Sequence, residues 1–226
     1  MTRPSPPAIV AVVGMTREAK ILAGVPAVVG GGMAATLTDR LVAALNEGAA
    51  GVISFGLCGA LDPALEVGDL VIGQTVSWGD ERIDIDSAWR SRLASALPAA
   101  KVATIAATDR PVATPQAKAE LHRLTSAAAT DMETGLAAKI AQAGGVPFAV
   151  LRAVSDSAHR ALPAAAEVGL GPQGDPAFGP VLAALARKPW QLPSLVRTGL
   201  EAEVGFRALV RARHLLGPGL AGPDLG

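Results

Sequence analysis

Five runs of strand length carry the apolar residues in unbroken stretches: residues 8–13, stopping at Gly14; 52–55, stopping at Gly56; 70–73; 101–106; and 148–154. A continuous run, as opposed to an alternating one, suits a strand covered on both faces, as in a parallel sheet. Helical patterns lie between them. Residues 34–47 are rich in Ala and Leu and end at Gly48, a natural C-cap. Residues 114–124 open on Thr114-Pro115, a good N-cap and first-turn pair, and residues 134–143 are closed by Gly144-Gly145. Strands alternating with helices predict a single α/β domain over residues 8–190, with a mainly parallel central sheet flanked by helices. Residues 160–190 are rich in Pro and Gly and are expected to be irregular. A helical tail is expected over 191–226; its apolar residues spread around much of the helix.

Composition narrows the picture. With 226 residues, half of them apolar, the chain can bury a sizeable core. Aromatics are 3% and Tyr is absent, so that core must be Ala, Val, Leu and Ile. The formal net charge is zero, which gives no basic excess for a nucleic-acid partner. A single cysteine, Cys58, excludes an intrachain disulfide, and with only three His it argues against a structural zinc site. These counts fit a reducing cytoplasm. The first ten residues hold no long apolar run before a small-residue cleavage site, so no signal peptide is expected. Residues 21–38 are 18 residues without a charge, long enough to raise a membrane span. Pro26 and Gly30-Gly31-Gly32 point instead to a Gly-rich loop leading into a buried helix.

In open α/β sheets, ligands bind beyond the carboxyl ends of the strands. The first run is followed by Gly14-Met15-Thr16-Arg17-Glu18 and the second by Gly56-Leu57-Cys58-Gly59-Ala60-Leu61. Asp131-Met132-Glu133 precedes the 134–143 helix, and Ser155-Asp156-Ser157-Ala158-His159 follows the fifth run. Topology thus brings Glu18, Glu133 and Asp156 towards one cleft. Each piece also has a plain structural reading. Gly56-x-x-Gly59 is a common tight-turn pattern, Glu133 suits a helix dipole, and Asp156 suits an N-cap. His159 reads best as a surface residue and Cys58 as a small buried one.

Taken in order, four stretches resemble the purine nucleoside phosphorylase and methylthioadenosine nucleosidase superfamily. They are Val12-Val13-Gly14-Met15 with Glu18; Phe55 to Leu61 followed by Val67-Gly68-Asp69-Leu70-Val71-Ile72; Asp131-Met132-Glu133-Thr134; and Val146-Pro147-Phe148 continuing through Arg152-Ala153-Val154-Ser155-Asp156. The stretch between Glu18 and the glycine triplet is too short for the usual extra strands. With the Pro/Gly-rich end, it resembles the hopanoid-associated phosphorylase branch, which is thought to release adenine from adenosylhopane.

The resemblance implies roles. Asp156 protonates purine N7, steadied by Ser155; Glu133 holds the ribose hydroxyls; Met132 packs on the sugar. Gly14, Gly56, Gly59, Arg17 and Arg152 join the substrate-binding set. Glu18 matches the residue that activates water in nucleosidases. Phosphorylases carry an Arg and a Ser around their Gly-rich motif where this chain has Ser54 and Leu57, so the phosphate clamp is damaged, although Arg17 offers partial compensation. Water and phosphate both stay open as nucleophile. No metal and no cofactor beyond phosphate as a co-substrate is implied, and a cytoplasmic homo-oligomer is. A methylthioadenosine/S-adenosylhomocysteine nucleosidase, a general purine nucleoside phosphorylase and a non-catalytic nucleoside-binding module are the alternatives. The last has no use for a buried proton donor. Residues 187–226 hold six Lys/Arg and three acids, a net charge of +3. The plain reading packs this segment on the domain or a partner subunit; the sharper one rests it on a membrane beside a lipid-linked substrate.

Overall fold

The computed structural model describes residues 9–31, 34–163, 190 and 192–223. The described residues form eight strands: β1 (Ile9–Val13), β2 (Ala27–Val29), β3 (Gly51–Ala60), β4 (Leu70–Trp78), β5 (Glu81–Asp84), β6 (Lys101–Ala107), β7 (Ala129–Asp131) and β8 (Phe148–Asp156). Among the described residues the helices are α1 (Thr16–Ile21), α2 (Ala34–Asn46), α3 (Ser87–Ala96), α4 (Pro115–Thr125), α5 (Thr134–Ala143) and α6 (Leu192–Leu216). Local chemistry sets several of these ends. Thr114 Oγ1 accepts from Ala117 N at 3.2 Å ahead of Pro115, and Asp86 Oδ1 accepts from Trp89 N at 2.7 Å to cap α3. The irregular stretch expected over 160–190 falls largely on residues 164–189, which lie outside the described residues.

Five strand pairings are parallel and three antiparallel, so the sheet is mainly parallel but mixed. The open sheet assumed from sequence is corrected. Strands β3, β8, β4, β6 and β7 pair in turn, and β7 returns to β3 through Gly59↔Thr130 and Ala60↔Ala129, closing a ring. Closure needs long, bent strands. β3 and β4 run on past Gly56 and Gly73, and their registers shift at Cys58/Gly59 and Gly73/Val76, the kind of irregularity that lets a strand turn a corner. At Gly73 a Cβ would stand 2.7 Å from Val150 Cβ, so the crossing of β4 over β8 requires glycine.

Both faces of the sheet are covered, as the unbroken apolar runs require. Along β1, Val10 and Val12 pack with Leu37 and Leu41 of α2 and Ala137, Ala138 and Ala141 of α5. Ile9, Ala11 and Val13 point the other way, towards Trp89 and Leu93 of α3 and Phe206, Leu209 and Ala212 of α6. The tail segment is therefore part of the core. The C-terminal half of α6 buries Gly205, Phe206, Ala208, Leu209, Ala212 and Leu216, whereas Leu192, Val196, Leu200 and Val204 remain exposed.

Candidate active site

An open cleft of about 250 Å³ lies where β1, β3, β7 and β8 end. It gathers Gly14, Glu18, Gly59, Met132, Glu133, Ser155 and Asp156, seven of the ten residues singled out from sequence. Thr108, Pro111 and Val112 after β6 form another wall. Thr198 and Ala202 of α6 complete it, a contribution the sequence did not reveal. Two ion pairs hold α6 there: Arg160 Nη1 to Glu201 Oε1 at 2.5 Å and Arg17 Nη2 to Glu203 Oε2 at 2.5 Å.

Glu18 turns back from the first turn of α1 to accept three backbone N–H groups. Its Oε2 accepts from Gly14 N at 2.8 Å and Met15 N at 2.9 Å, and its Oε1 from Leu57 N at 2.7 Å. The carboxylate thus staples the β1–α1 turn to β3. Burial pushes its pKa up from the usual range, against the pull of Arg152 and of these three donors. Gly56 is the close approach that makes this possible: a Cβ there would collide with Glu18 Oε1 and stand 2.8 Å from Arg152 Nη1.

Arg152 sits under the cleft floor, 1% exposed, and does not line it. Expected among the substrate-binding residues, it instead turns its nitrogens to protein groups beneath the cleft. Nε pairs with Asp131 Oδ2 at 2.6 Å, Nη2 donates to Ser54 Oγ at 2.5 Å and Thr134 Oγ1 at 2.9 Å, and Nη1 donates to Leu57 O at 3.3 Å. Ser54 and Thr134 share a further hydrogen bond of 2.8 Å. Asp131 accepts from Glu133 N, Thr134 N and Thr134 Oγ1, which fixes the turn that aims Met132 and Glu133 at the cleft. Asp131, Ser54 and Thr134 were missed as site residues. The signal was Arg152 itself, a cation inside a core strand, which must find acidic partners.

The Glu133 carboxyl is pushed up to about 7, chiefly by burial, with Arg152 opposing and the Asp131 and Glu18 charges adding to the rise. It packs so close to Gly14 that a Cβ there would stand 2.9 Å from its Oε1. Asp156 ends β8. Its Oδ1 accepts from Ser155 Oγ at 2.8 Å and its Oδ2 from Lys118 Nζ at 2.5 Å. Lys118, wholly buried on α4, is a further residue that sequence reasoning missed. Its position three residues before Leu121, on the inward face of α4, was the available signal.

Three other residues singled out from sequence have clear positions. Arg17, offered as partial compensation for the phosphate clamp, has a side chain 53% exposed, outside the cleft lining, paired with Glu203 and 4.0 Å over the Phe206 ring. Cys58 lines the cleft, and burial pushes its thiol far above the usual range, which disfavours the thiolate. His159 is exposed and outside the cleft.

Four carboxyl groups, Glu18, Asp131, Glu133 and Asp156, therefore line the cleft, and among its described lining residues there is no Lys, Arg or His. The two cations, Arg152 and Lys118, lie beneath these acids. Such a site can donate a proton, hold hydroxyls and favour a developing positive charge. It is ill suited to cradle a phosphate dianion.

The chain is similar to several solved structures at low identity. One is an S-adenosylhomocysteine nucleosidase from Streptococcus pyogenes (22% identity, TM-score 0.60, covering 69% of this chain and 86% of that one). Another is a methylthioadenosine/S-adenosylhomocysteine nucleosidase from Colwellia psychrerythraea in complex with adenine (16%, TM-score 0.64, 82% and 97%). A third is a futalosine hydrolase mutant from Helicobacter pylori (19%, TM-score 0.59, 66% and 88%). These likenesses establish the fold. Comparison with curated proteins gives no significant match. The sequence profile of the phosphorylase superfamily matches residues 7–175, a span that contains the strand ends and every acid of the cleft, and on that match the chain belongs to this superfamily.

Proposed function

We propose that this protein hydrolyses the N-ribosyl bond of an adenosyl-type nucleoside and releases adenine. The observation that carries the reading is the cleft's charge pattern: Asp156, Glu133 and Glu18 converge on it, and none of its described lining residues is a cation. Rupture of the bond leaves an oxocarbenium-like sugar and an electron-rich purine. Asp156 gives its proton to purine N7 while Ser155 and Lys118 hold its carboxyl. Glu133 accepts from the ribose hydroxyls and sets negative charge against the sugar cation. Glu18, buried beside it, takes the proton of the attacking water. Phosphorolysis is the weaker reading. Ser54 is buried against Arg152, Leu57 supplies no hydroxyl, and Arg17 faces α6. Adenine release at the same rate with and without phosphate is the test.

The substrate's 5′ group is, in this proposal, apolar and lipid-linked, of the adenosylhopane kind. A hollow of about 210 Å³ adjoins the cleft at Met132 and Glu133, with Leu37, Trp78 and Leu136 in its walls. Leu192, Val196, Leu200 and Val204 form an exposed apolar row at helical spacing on α6, beside the residues that line the cleft. No described helix is long and apolar enough to cross a membrane, so contact would be peripheral. The full chain is expected to co-sediment with anionic liposomes, and Val196→Ser/Leu200→Ser/Val204→Ser to lose most of that binding while keeping its fold. Equal sedimentation of the two proteins would contradict the idea.

Glu133 also sets a pH dependence. With its carboxyl titrating near about 7, it gains a proton as pH falls and loses the charge that opposes the sugar cation. The expected kcat/KM falls as pH drops through about 7, approaching tenfold per unit. For stability the sign is opposite. The folded chain holds a proton that an unfolded carboxyl, near 4.5, has released, so Glu133 weakens the fold as pH rises across that window. Glu133→Gln is expected to remove the acid limb of kcat/KM and to lower its plateau. An unchanged limb in that variant would assign it to another group.

A further inference from the structure

Lys118 is a fully buried ammonium, a costly thing to place in a core unless every donor is satisfied. Here the three N–H groups match three acceptors: Asp156 Oδ2 at 2.5 Å, Ser157 O at 2.8 Å and Arg160 O at 3.2 Å. An apolar side chain of similar volume at 118, with an uncharged partner, would fill the same space without that desolvation cost. The other Asp156 oxygen accepts from Ser155 Oγ, itself 3.1 Å from Cys58 O. The carboxyl of Asp156 is thus gripped on both oxygens, by groups from α4 and from its own strand, with its remaining edge on the cleft.

We infer that Lys118 is a positioning residue for proton donation by Asp156. It fixes the plane of the carboxyl and stabilises the carboxylate formed as the proton leaves. The inference rests on the hydrolytic reading above. At rest Asp156 is the carboxylate paired with Lys118; with substrate seated it takes up a proton from water, and in the step the Asp156 O–H bond breaks as an N7–H bond forms. The electron pair of the C1′–N9 bond passes into the purine ring, and the neutral purine departs. Lys118 keeps its three protons throughout and faces the new carboxylate. The alternative is purely architectural, a pin between α4 and the turn after β8.

Leaving groups of different demand separate the two. Adenine needs a proton to depart; nitrophenolate does not. Lys118→Met is expected to lower kcat for adenine release from an adenosyl nucleoside by about 10²-fold, the usual worth of general-acid help, with a small change in KM. The same variant should cleave nitrophenyl riboside close to the wild-type rate. Equal losses on both substrates would overturn the inference while leaving the hydrolytic reading intact; a wild type that cleaves neither would overturn both. A second comparison covers the case in which Lys118→Met strands the Asp156 charge and does not fold. Asp156→Asn removes that charge, and in its background Lys118→Met is expected to cost no further adenine-release activity. A further tenfold loss there, with both proteins folded, would also overturn the inference.

Discussion

Asp156→Asn is expected to remove most, but not all, adenine release while leaving the fold in place. The amide matches the carboxyl in size, and its oxygen can still accept from Lys118 Nζ, so the local geometry has no reason to collapse. What disappears is the transferable proton. Loss of general-acid help alone should slow turnover by at least about 10²-fold. Lys118 is left facing a neutral partner in a buried site, which should cost on the order of 1–3 kcal/mol of stability, visible as a lower Tm. Adenine binding should survive better than turnover, because the amide N–H can donate to N7. Chromatographic detection of adenine, with calorimetric titration of adenine binding, measures both. An asparagine variant that releases adenine at the wild-type rate would remove Asp156 from the mechanism.

Glu18→Gln is expected to have the second large effect, and for two reasons that can be separated. The carboxylate serves three backbone donors with two oxygens. A glutamine has one oxygen, so either Leu57 N–H or the Gly14 and Met15 pair meets an amide N–H instead. That mismatch should cost on the order of 1–3 kcal/mol, again read as a fall in Tm. If Glu18 also takes the proton of water, hydrolysis should fall by about 10²-fold or more in a protein that is still folded. Phosphate should not restore it. A folded glutamine variant with undiminished activity, together with a wild type whose rate rises with phosphate, would favour phosphorolysis.

The parts of the fold that sequence exposed were those with local causes. β1, β8 and α5 were legible because unbroken apolar runs and flanking glycines mark a doubly covered strand and a capped helix. Closure of the sheet was not, because Gly56 read as a stop and Gly73 as the last residue of a short run when both are places of close approach, against Glu18 and Val150. β2 and β7 have three residues each and β5 four, too short for any period to show. In the site, the acids were legible because they follow strand ends. Their cations were not. Lys118 meets Asp156 across 38 positions, and Arg17 is drawn to Glu203 across 186, so the fold alone decides which charges meet. The tail carried two readings, packed on the protein or resting on a membrane, because its apolar residues circle the helix. They do so because one half of α6 packs on the sheet and the other half presents Val196 and Leu200 to solvent.

The most direct measurement is the product analysis of wild-type protein incubated with an adenosyl nucleoside bearing an apolar 5′ group, in phosphate-free buffer and again with phosphate. The expected result is free adenine at equal rates in both, with a reducing ribosyl product and no sugar phosphate. Phosphate-dependent release with a ribosyl 1-phosphate product would contradict water as the nucleophile, and absence of adenine under both conditions would contradict the proposed function itself.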